Sequence, residues 1–325
     1  MIKHFLFFII GLISSLIAYE FFLWNSPYMS DSSPVVFDEK IGMWHKKNFS
    51  GNSIKECYRN KFFFDEFGRV KNTTKISSSR PNIVLIGDSQ LEALSVKNEN
   101  IIHNSLNKEY QNSLNFLNYG LAGSTPIQQY AILINKVDLD KTDYVAQFIN
   151  VDYFLNSLTS SRSIFRRPKV DITFSSPDEF NIIYPEANFL NSKVIDFFSN
   201  FQTYSILKRT AYYLLSLLNK KDIINNTPDS EKINHEGNKK VLGILKQTKF
   251  LLDKYNIKYK IIIFSHSNSK LKYFKQVLKE LNIDFEIIGT KSSVNLESFS
   301  CDNHWNDRTH KEIAKYLHKI NFFEY

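Results

Sequence analysis

The chain has 325 residues, 43% of them hydrophobic and 15% aromatic. A chain of this length and composition can bury the core of a large folded domain, which excludes an intrinsically disordered protein. The formal net charge of +8 is spread over lysine-rich segments. Such a balance is typical of a solvated surface, and it is also compatible with nucleic acid, an anionic glycan or a phospholipid surface. Because no nucleic-acid recognition motif is present, we expect no nucleic-acid partner.

An apolar segment runs from Phe5 to Trp24, shortly after Lys3. About 20 apolar residues span a bilayer as a helix. No small-residue cleavage site follows the segment, and no Lys or Arg follows it until Lys40. We therefore predict an uncleaved signal anchor at residues 1–25, a single pass in the cell membrane with the rest of the chain on its periplasmic or extracellular face. A buried N-terminal helix of the globular domain is the alternative.

Residues 26–79 are predicted to be a juxtamembrane linker, rich in Pro and Ser at its start, and a lead-in to the main domain. From residue 80 to 325 strand and helix patterns alternate. Strands are predicted at Asn82–Gly87, Leu114–Tyr119, Tyr144–Ile149, Lys260–Ser265 and Phe285–Ile288. Helices are predicted at 99–111, 126–138, 236–256, 270–282 and Glu312–Ile320. This alternation predicts an α/β fold, a parallel five-stranded sheet covered on both faces.

Residues 153–235 break the alternation after the third strand. They are predicted to form an insertion with a β-hairpin around Asp171–Tyr184 and an aromatic-rich helix from Tyr204 to Leu218. We expect this insertion to be a lid or a wall of the site.

The first strand leads directly into Gly87-Asp88-Ser89. Open parallel sheets build their sites at the carboxyl ends of strands, so the Ser89 hydroxyl is a candidate nucleophile. Gly87 permits a sharp turn, after which the Ser89 N–H is a candidate donor to an oxyanion. The same three residues are common in ordinary turns, so the motif alone is weak evidence.

A second glycine-containing stretch, residues 118–125, joins the next strand to a helix. Glycine lets the backbone approach a substrate closely, and the Gly123 N–H is a candidate second oxyanion donor. An ordinary strand-to-helix turn is the alternative interpretation.

Near the C-terminus, Asp302 and His304 stand two residues apart, before an amphipathic helix. In a nucleophilic acyl-transfer site, His304 would take the proton of Ser89 and Asp302 would orient the imidazole. Each residue alone is unremarkable, but together with Trp305 and Asn306 they indicate a site.

These three segments resemble the first, second and last blocks of the SGNH (GDSL-type) hydrolase family, and most of all its membrane-anchored members associated with bacterial envelope polysaccharides. The resemblance covers about residues 80–325. It implies a flavodoxin-like three-layer α/β/α sandwich and an ester-directed site without a metal or an organic cofactor. It also implies Ser89 as nucleophile, Gly123 as oxyanion donor, and Asp302 and His304 as the remaining triad members.

The chain departs from this family at the third block, where an Asn side chain normally donates to the oxyanion. If Asp152 is aligned with the Asp of that block, Val151 stands where the Asn belongs. Asn150, one residue earlier, ends the right strand. We predict that Asn150 takes the donor role; another donor, or a slow or inactive enzyme, is the alternative.

Other features carry less weight. Residues 265–269 form a polar loop after the fourth strand, in which His266 and Asn268 are weak candidates for substrate binding. His310 is predicted to be a helix-face residue rather than a second base. Cys57 and Cys301 have no metal-ligand spacing, and the sequence leaves open whether they form a disulfide.

We therefore predict a membrane-anchored serine esterase or acyltransferase that acts on O-acyl groups, foremost O-acetyl, of an envelope or secreted polysaccharide. Polysaccharide biosynthesis or export proteins are possible partners. A catalytically weak glycan-binding assembly factor of an export complex, or a lipase or thioesterase, is the alternative. The sequence does not separate hydrolysis from acyl transfer, because both use the same triad.

Overall fold

The computed structural model describes residues 2–25, 34–111, 113–152, 154, 169–176, 179–186, 235–265, 267–290 and 293–324. The strands are β1 (Val35–Asp38), β2 (Gly42–His45), β3 (Ser50–Lys55), β4 (Tyr58–Phe63), β5 (Asn82–Gly87), β6 (Asn115–Gly120), β7 (Tyr144–Asn150), β8 (Asp171–Ser176), β9 (Glu179–Ile183), β10 (Lys258–Phe264) and β11 (Asp284–Ile287). The helices are α1 (Ile2–Asn25), α2 (Ser89–Glu92), α3 (Ile102–Glu109), α4 (Pro126–Lys136), α5 (His235–Lys254), α6 (Asn268–Glu280) and α7 (Asp307–Lys319).

The central sheet has five parallel strands in the order β11-β10-β7-β5-β6. The chain passes from β5 to β6 on one side and then returns to β7 on the other side. The strand order therefore reverses between β5 and β7, which is the topological switch point of a flavodoxin-like sheet. Open α/β sheets bind ligands in the crevice outside the strand ends at this point.

Side chains of the sheet alternate between two helical layers, as a pleated strand requires. Ile83 and Leu85 of β5 belong to the same apolar cluster as residues of α3 and α7. Val84 and Ile86 face the opposite layer, with residues of α4 and α5. The predicted five-stranded parallel sheet with helices on both faces is confirmed.

The start of the last helix was predicted wrongly. The last helix was predicted to begin at Glu312, but α7 begins at Asp307. The Asn306 side chain accepts a hydrogen bond from the Thr309 N–H (3.0 Å), which starts the helix a turn and a half earlier.

The stretch predicted as linker and lead-in contains two antiparallel hairpins, β1–β2 and β3–β4. Trp44 of β2 joins the apolar cluster beneath α4. Phe62 of β4 packs with Ile101 and other residues between β5 and α3. Both hairpins are therefore packed onto the main domain through buried side chains, in addition to their covalent connection along the backbone.

The hairpin predicted in the insertion is present as β8–β9. Ile172 of β8 packs with Ile127 of α4 and Ile244 of α5. The predicted helix from Tyr204 to Leu218 lies outside the described residues.

Helix α1 presents large apolar side chains to solvent, among them Phe7 (72% exposed) and Phe21 (71% exposed). Among the described residues, no helix combines the length and the apolar character needed to cross a bilayer. The signal anchor stays a prediction.

Candidate functional site

Ser89 is the first residue of α2, directly after β5, at the switch point of the sheet. The Asp88 carboxylate caps this helix by accepting a hydrogen bond from the Gln90 N–H (3.0 Å). Burial raises the pKa of Asp88, and the Gln90 N–H and the nearby charge of His304 partly oppose this shift. Gly87 is closely packed, because a Cβ there would lie 3.1 Å from Leu91 and from Phe148, and these side chains would have to shift by a few tenths of an ångström to accommodate it. The Ser89 side chain remains partly exposed.

The second glycine-containing stretch is bonded directly to this turn. The Gly87 carbonyl accepts hydrogen bonds from the Leu121 N–H (3.1 Å) and from the Ser124 hydroxyl (3.0 Å). Gly123 lies between these two residues with φ +71°, a conformation that favours glycine, and a Cβ there would meet open space. The Gly123 carbonyl accepts from Lys169 Nζ (2.8 Å). The loop that holds Gly123 is thus fixed beside the Ser89 turn.

Asn118 also connects the Ser89 turn to the glycine-containing stretch. Its fully buried side chain donates to the Leu91 carbonyl at the end of α2 (2.8 Å) and accepts from the Gly120 N–H (2.8 Å). Gly120 has to be glycine, because a Cβ there would lie 2.4 Å from the Glu92 nitrogen.

Asp302 and His304 lie in a loop of residues 297–306, which we call the acid–base loop. The His304 Nδ1–H donates to Asp302 Oδ1 over 2.6 Å. The Asp302 side chain is 8% exposed and the His304 side chain 35% exposed. A carboxylate bound to one ring nitrogen leaves Nε2 as the atom that can accept a proton.

The residue after Ser89 ties the acid–base loop to the Ser89 turn. Gln90 Nε2 donates to the Asn303 carbonyl (3.1 Å), and Gln90 Oε1 accepts from the Trp305 N–H (2.9 Å). His304 lies between these two anchored residues. His304 is also close enough to the Ser89 turn for its charge to lower the pKa of Asp88. Among the described residues, no hydrogen bond joins the Ser89 hydroxyl to His304; such bonds are often long before substrate binds.

Asn150 is the last residue of β7, on the other side of the switch point. Asn150 stands two residues after Phe148 and therefore on the same face of the sheet. It is paired in register with Phe264 of β10. The Phe264 ring contacts Trp305, with 4.6 Å between the ring centroids. Val151 is buried with Ile149 in an apolar cluster on the opposite face. The strand therefore directs Asn150, and not Val151, towards the acid–base loop.

The Asn150 amide is oriented by its own turn. Its Oδ1 accepts from the Asp152 N–H (3.0 Å), which directs the NH₂ group to the other side of the amide. The Asp152 carboxylate in turn accepts from the Ser265 hydroxyl (3.0 Å) at the end of β10.

Two residues of the β3–β4 hairpin contact Asp302, although no local sequence pattern indicates them as site residues. Asp302 Oδ2 accepts from Lys55 Nζ (2.6 Å) and from the Tyr58 hydroxyl (3.2 Å). Burial by itself raises the pKa of Asp302, but the hydrogen bonds and positive charges of Lys55 and His304 outweigh it and lower the pKa to about 2. Asp302 is therefore ionised at any pH at which the protein would act.

The question of the cysteines is answered by a disulfide between Cys57 and Cys301. Cys301 directly precedes Asp302, and Cys57 lies between Lys55 and Tyr58. Had the pairing been known, it would have indicated Lys55 and Tyr58 as neighbours of Asp302.

The remaining predicted residues are less informative. His266 lies outside the described residues, and Asn268 is exposed at the start of α6. His310 is buried in α7, where burial and the charges of His103 and His304 lower its pKa to about 3. It is a neutral helix residue, as expected. In the described part of the chain, no three His, Cys, Asp or Glu side chains are grouped so that they could hold a metal ion.

The chain matches no family model and no curated protein. Among solved structures it is similar to a G-D-S-L family protein from Desulfitobacterium hafniense DCB-2 described as lipolytic, with 13% identity, 74% of this chain and 99% of that chain covered, and a TM-score of 0.41. It is also similar to the psychrotrophic esterase EstA of a Pseudoalteromonas species (12% identity, 74% and 97% covered, TM-score 0.39). A third is LAE5, an alpha/beta hydrolase enzyme from the metagenome of Lake Arreo in Spain (14% identity, 73% and 93% covered, TM-score 0.35). Likeness of this degree carries no conclusion about activity.

Proposed function

We propose that the chain is a serine esterase or acyltransferase in which Ser89, His304 and Asp302 form the catalytic triad. The observation that carries the proposal is the 2.6 Å bond between His304 and Asp302 in a loop that Gln90 ties to the Ser89 turn. A carboxylate-bound imidazole beside a partly exposed serine at a sheet switch point is the arrangement that acyl transfer requires.

In this mechanism the Ser89 oxygen attacks the acyl carbonyl carbon, and its proton passes to His304 Nε2. The protonated ring then gives the proton to the departing alkoxide, which leaves an acyl group on Ser89. A second hydroxyl attacks this acyl-enzyme, and the proton returns through His304 to Ser89. Asp302 keeps its negative charge throughout and stabilises the imidazolium. Water completes hydrolysis, whereas a sugar hydroxyl completes a transfer.

The oxyanion would be stabilised by the N–H groups of Ser89 and Gly123 and by the Asn150 amide. The support is positional: the Gly123 loop is bonded to the carbonyl of Gly87, and the pleat of β7 directs Asn150 towards the acid–base loop. Donors held in place before the reaction cost no reorganisation when charge develops, which is why they contribute so much to the rate.

We further propose that α1 attaches the enzyme to the cell membrane and that the substrate is an O-acylated, foremost O-acetylated, envelope or secreted glycan. Exposed apolar side chains on α1 and the Lys3 that precedes them support attachment. If this is right, the full chain stays with membranes after alkaline extraction, whereas residues 26–325 do not. Recovery of the full chain in the soluble fraction would contradict attachment.

The activity is tested by acyl release from chromogenic esters of two to eight acyl carbons and by acetate release from an O-acetylated polysaccharide. We expect turnover by the wild type and loss of about 10⁶-fold in kcat with Ser89→Ala. Ser113→Ala, an exposed serine before β6, is the matched control and should behave as wild type. A preference for long acyl chains would favour a lipase or thioesterase. A folded protein that binds glycan but releases no acyl group, with or without an added sugar acceptor, would favour the assembly factor.

A further inference from the structure

The tip of the β3–β4 hairpin, residues 55–58, lies against the acid–base loop although the two are about 245 positions apart in sequence. Three independent contacts join them. Cys57 forms the disulfide with Cys301, and Lys55 Nζ and the Tyr58 hydroxyl both donate to Asp302 Oδ2. A covalent bond and two polar contacts therefore converge on one carboxylate and its neighbour.

The two oxygens of Asp302 have separate partners. Oδ1 accepts from His304, whereas Oδ2 accepts from the hairpin tip. A carboxylate bound on one side only can rotate about its terminal torsion and lose its alignment with the imidazole. With both oxygens bound, its plane is fixed.

Packing supports the polar contacts. The Tyr58 ring lies 4.9 Å from the Phe299 ring, between centroids, and Phe299 belongs to the acid–base loop. The Phe299 N–H donates to the His304 carbonyl (3.0 Å), which closes this loop. The hairpin tip thus contacts the loop at Phe299 as well as at Cys301 and Asp302.

The charges around the pair are few. Asp302 faces Lys55 and Tyr58 from the hairpin and His304 from its own loop. On the other side of His304 lie Asp88 of the Ser89 turn and His310 of α7, and the pKa of each is lowered in part by the charge of His304. Lys55 is therefore the cation that most directly balances Asp302 among the described residues.

We propose that Lys55 is a positioning residue for the reaction. It holds Asp302 in the plane of the His304 ring, and Tyr58 and the Cys57–Cys301 disulfide complete this support from the hairpin tip. The inference rests on the proposed triad and goes beyond it, because it makes a segment predicted as a lead-in part of the catalytic apparatus.

The charge of Lys55 has a consequence that mere packing lacks. A cation on Oδ2 reduces the stabilisation that Asp302 gives to protonated His304. Without that cation, the ring holds its proton up to a higher pH. Because the Lys55 side chain is 49% exposed, solvent screens part of the effect, and we expect a shift of about half a pH unit.

The test compares Lys55→Met, Lys55→Arg and Tyr58→Phe in the full-length protein. Lys61→Met, an exposed lysine on β4 of the same hairpin, is the control. For Lys55→Met we expect kcat on a chromogenic acetyl ester to fall about 10-fold with KM nearly unchanged, and the acidic limb of the pH–rate profile to move up by about half a unit. Lys55→Arg should return the acidic limb of the pH–rate profile to its wild-type position. Tyr58→Phe should lower kcat a few-fold without shifting this limb. A folded Lys55→Met protein that matches Lys61→Met in kcat and in its pH profile would overturn the proposal.

A second readout does not depend on turnover. The titration of the His304 ring is followed by NMR on protein labelled with ¹⁵N-histidine, with His304→Gln to assign the signal. If the wild type releases no acyl group, the proposed function fails, yet a higher titration midpoint in Lys55→Met would still show that the charge of Lys55 acts on the His304–Asp302 pair. An unchanged midpoint would overturn the inference even in an active enzyme.

Discussion

The acid–base loop and the end of β7 are linked through Phe264, which pairs with Asn150 and contacts Trp305, but the two regions are held in different ways. Asp302 and His304 are fixed by contacts from distant segments: the hairpin tip, Gln90 of α2 and the disulfide. Asn150 is fixed by the register of its own strand and by a turn with Asp152. The first region depends on long-range contacts, so it is sensitive to substitutions far away in sequence. The second depends on strand pleat and is sensitive mainly to the identity of Asn150.

Of the substitutions that distinguish the acid–base loop from the end of β7, Asp302→Asn should lower kcat the most. An amide does not hold the imidazole in the tautomer that accepts a proton from serine, so we expect kcat to fall about 10⁴-fold near neutral pH. Steady-state kinetics checks the size, and near-UV circular dichroism checks that the loop remains folded. A loss below ten-fold would mean that Asp302 does not orient His304.

Asn150→Ala should have the next largest effect. Loss of one oxyanion donor lowers kcat about 10²–10³-fold, with KM affected much less. Val151→Ala is the matched control, since Val151 packs in an apolar cluster and should change stability rather than kcat. If Asn150→Ala and Val151→Ala both lower kcat by the same small factor, the oxyanion donor at this strand end is another group.

A smaller effect is expected for Gln90→Leu, which removes both bonds between the Ser89 turn and the acid–base loop. Two hydrogen bonds of about 1 kcal/mol each correspond to a loss of roughly 30-fold in kcat if both act on alignment. Gln90→Glu retains the acceptor for Trp305 but not the donor to Asn303, and should lose less. Equal kcat values for wild type, Gln90→Leu and Gln90→Glu would show that the acid–base loop does not need the hydrogen bonds from Gln90.

The smallest effect concerns stability at low pH. The pKa of Asp302 is about 2 in the folded protein against an ordinary value of 3.8. A depressed pKa contributes stability above the unfolded value, and this contribution disappears as pH falls from about 4 to about 2. After allowance for solvent screening we expect about 1 kcal/mol, measured as the difference in unfolding free energy between wild type and Asp302→Asn at pH 6 and at pH 2. A difference that does not shrink at pH 2 would contradict this origin.

The sheet was predictable from sequence because continuous apolar runs such as Ile83–Ile86 are typical of buried parallel strands. The position of Ser89 at the carboxyl end of a strand was predictable for the same reason, since it lies three residues after such a run. The start of α7 was missed because its cap, Asn306, depends on a local hydrogen bond that apolar spacing does not reveal.

The contacts of the hairpin tip were not predictable from local patterns. Strands β1 to β4 are only four to six residues long, and their pairing and docking depend on distant side chains. Lys55 and Tyr58 read as ordinary surface residues until Cys57 is known to pair with Cys301. In the third block, alignment on Asp152 puts Val151 in the position of the family's Asn, so the sequence left open whether Asn150 takes the donor role. Only the strand register shows that Asn150 is paired with Phe264, whereas Val151 packs with Ile149.

The most direct test of the proposed site is reaction with a fluorophosphonate, in which a serine oxygen attacks phosphorus and fluoride leaves. Peptide mapping by mass spectrometry then locates the adduct. We predict rapid labelling on the peptide that contains Ser89, no label there in Ser89→Ala, and much slower labelling in His304→Gln because the serine loses its base. A folded wild-type protein without an adduct on Ser89, or equal labelling rates in wild type and His304→Gln, would contradict an activated serine at this switch point.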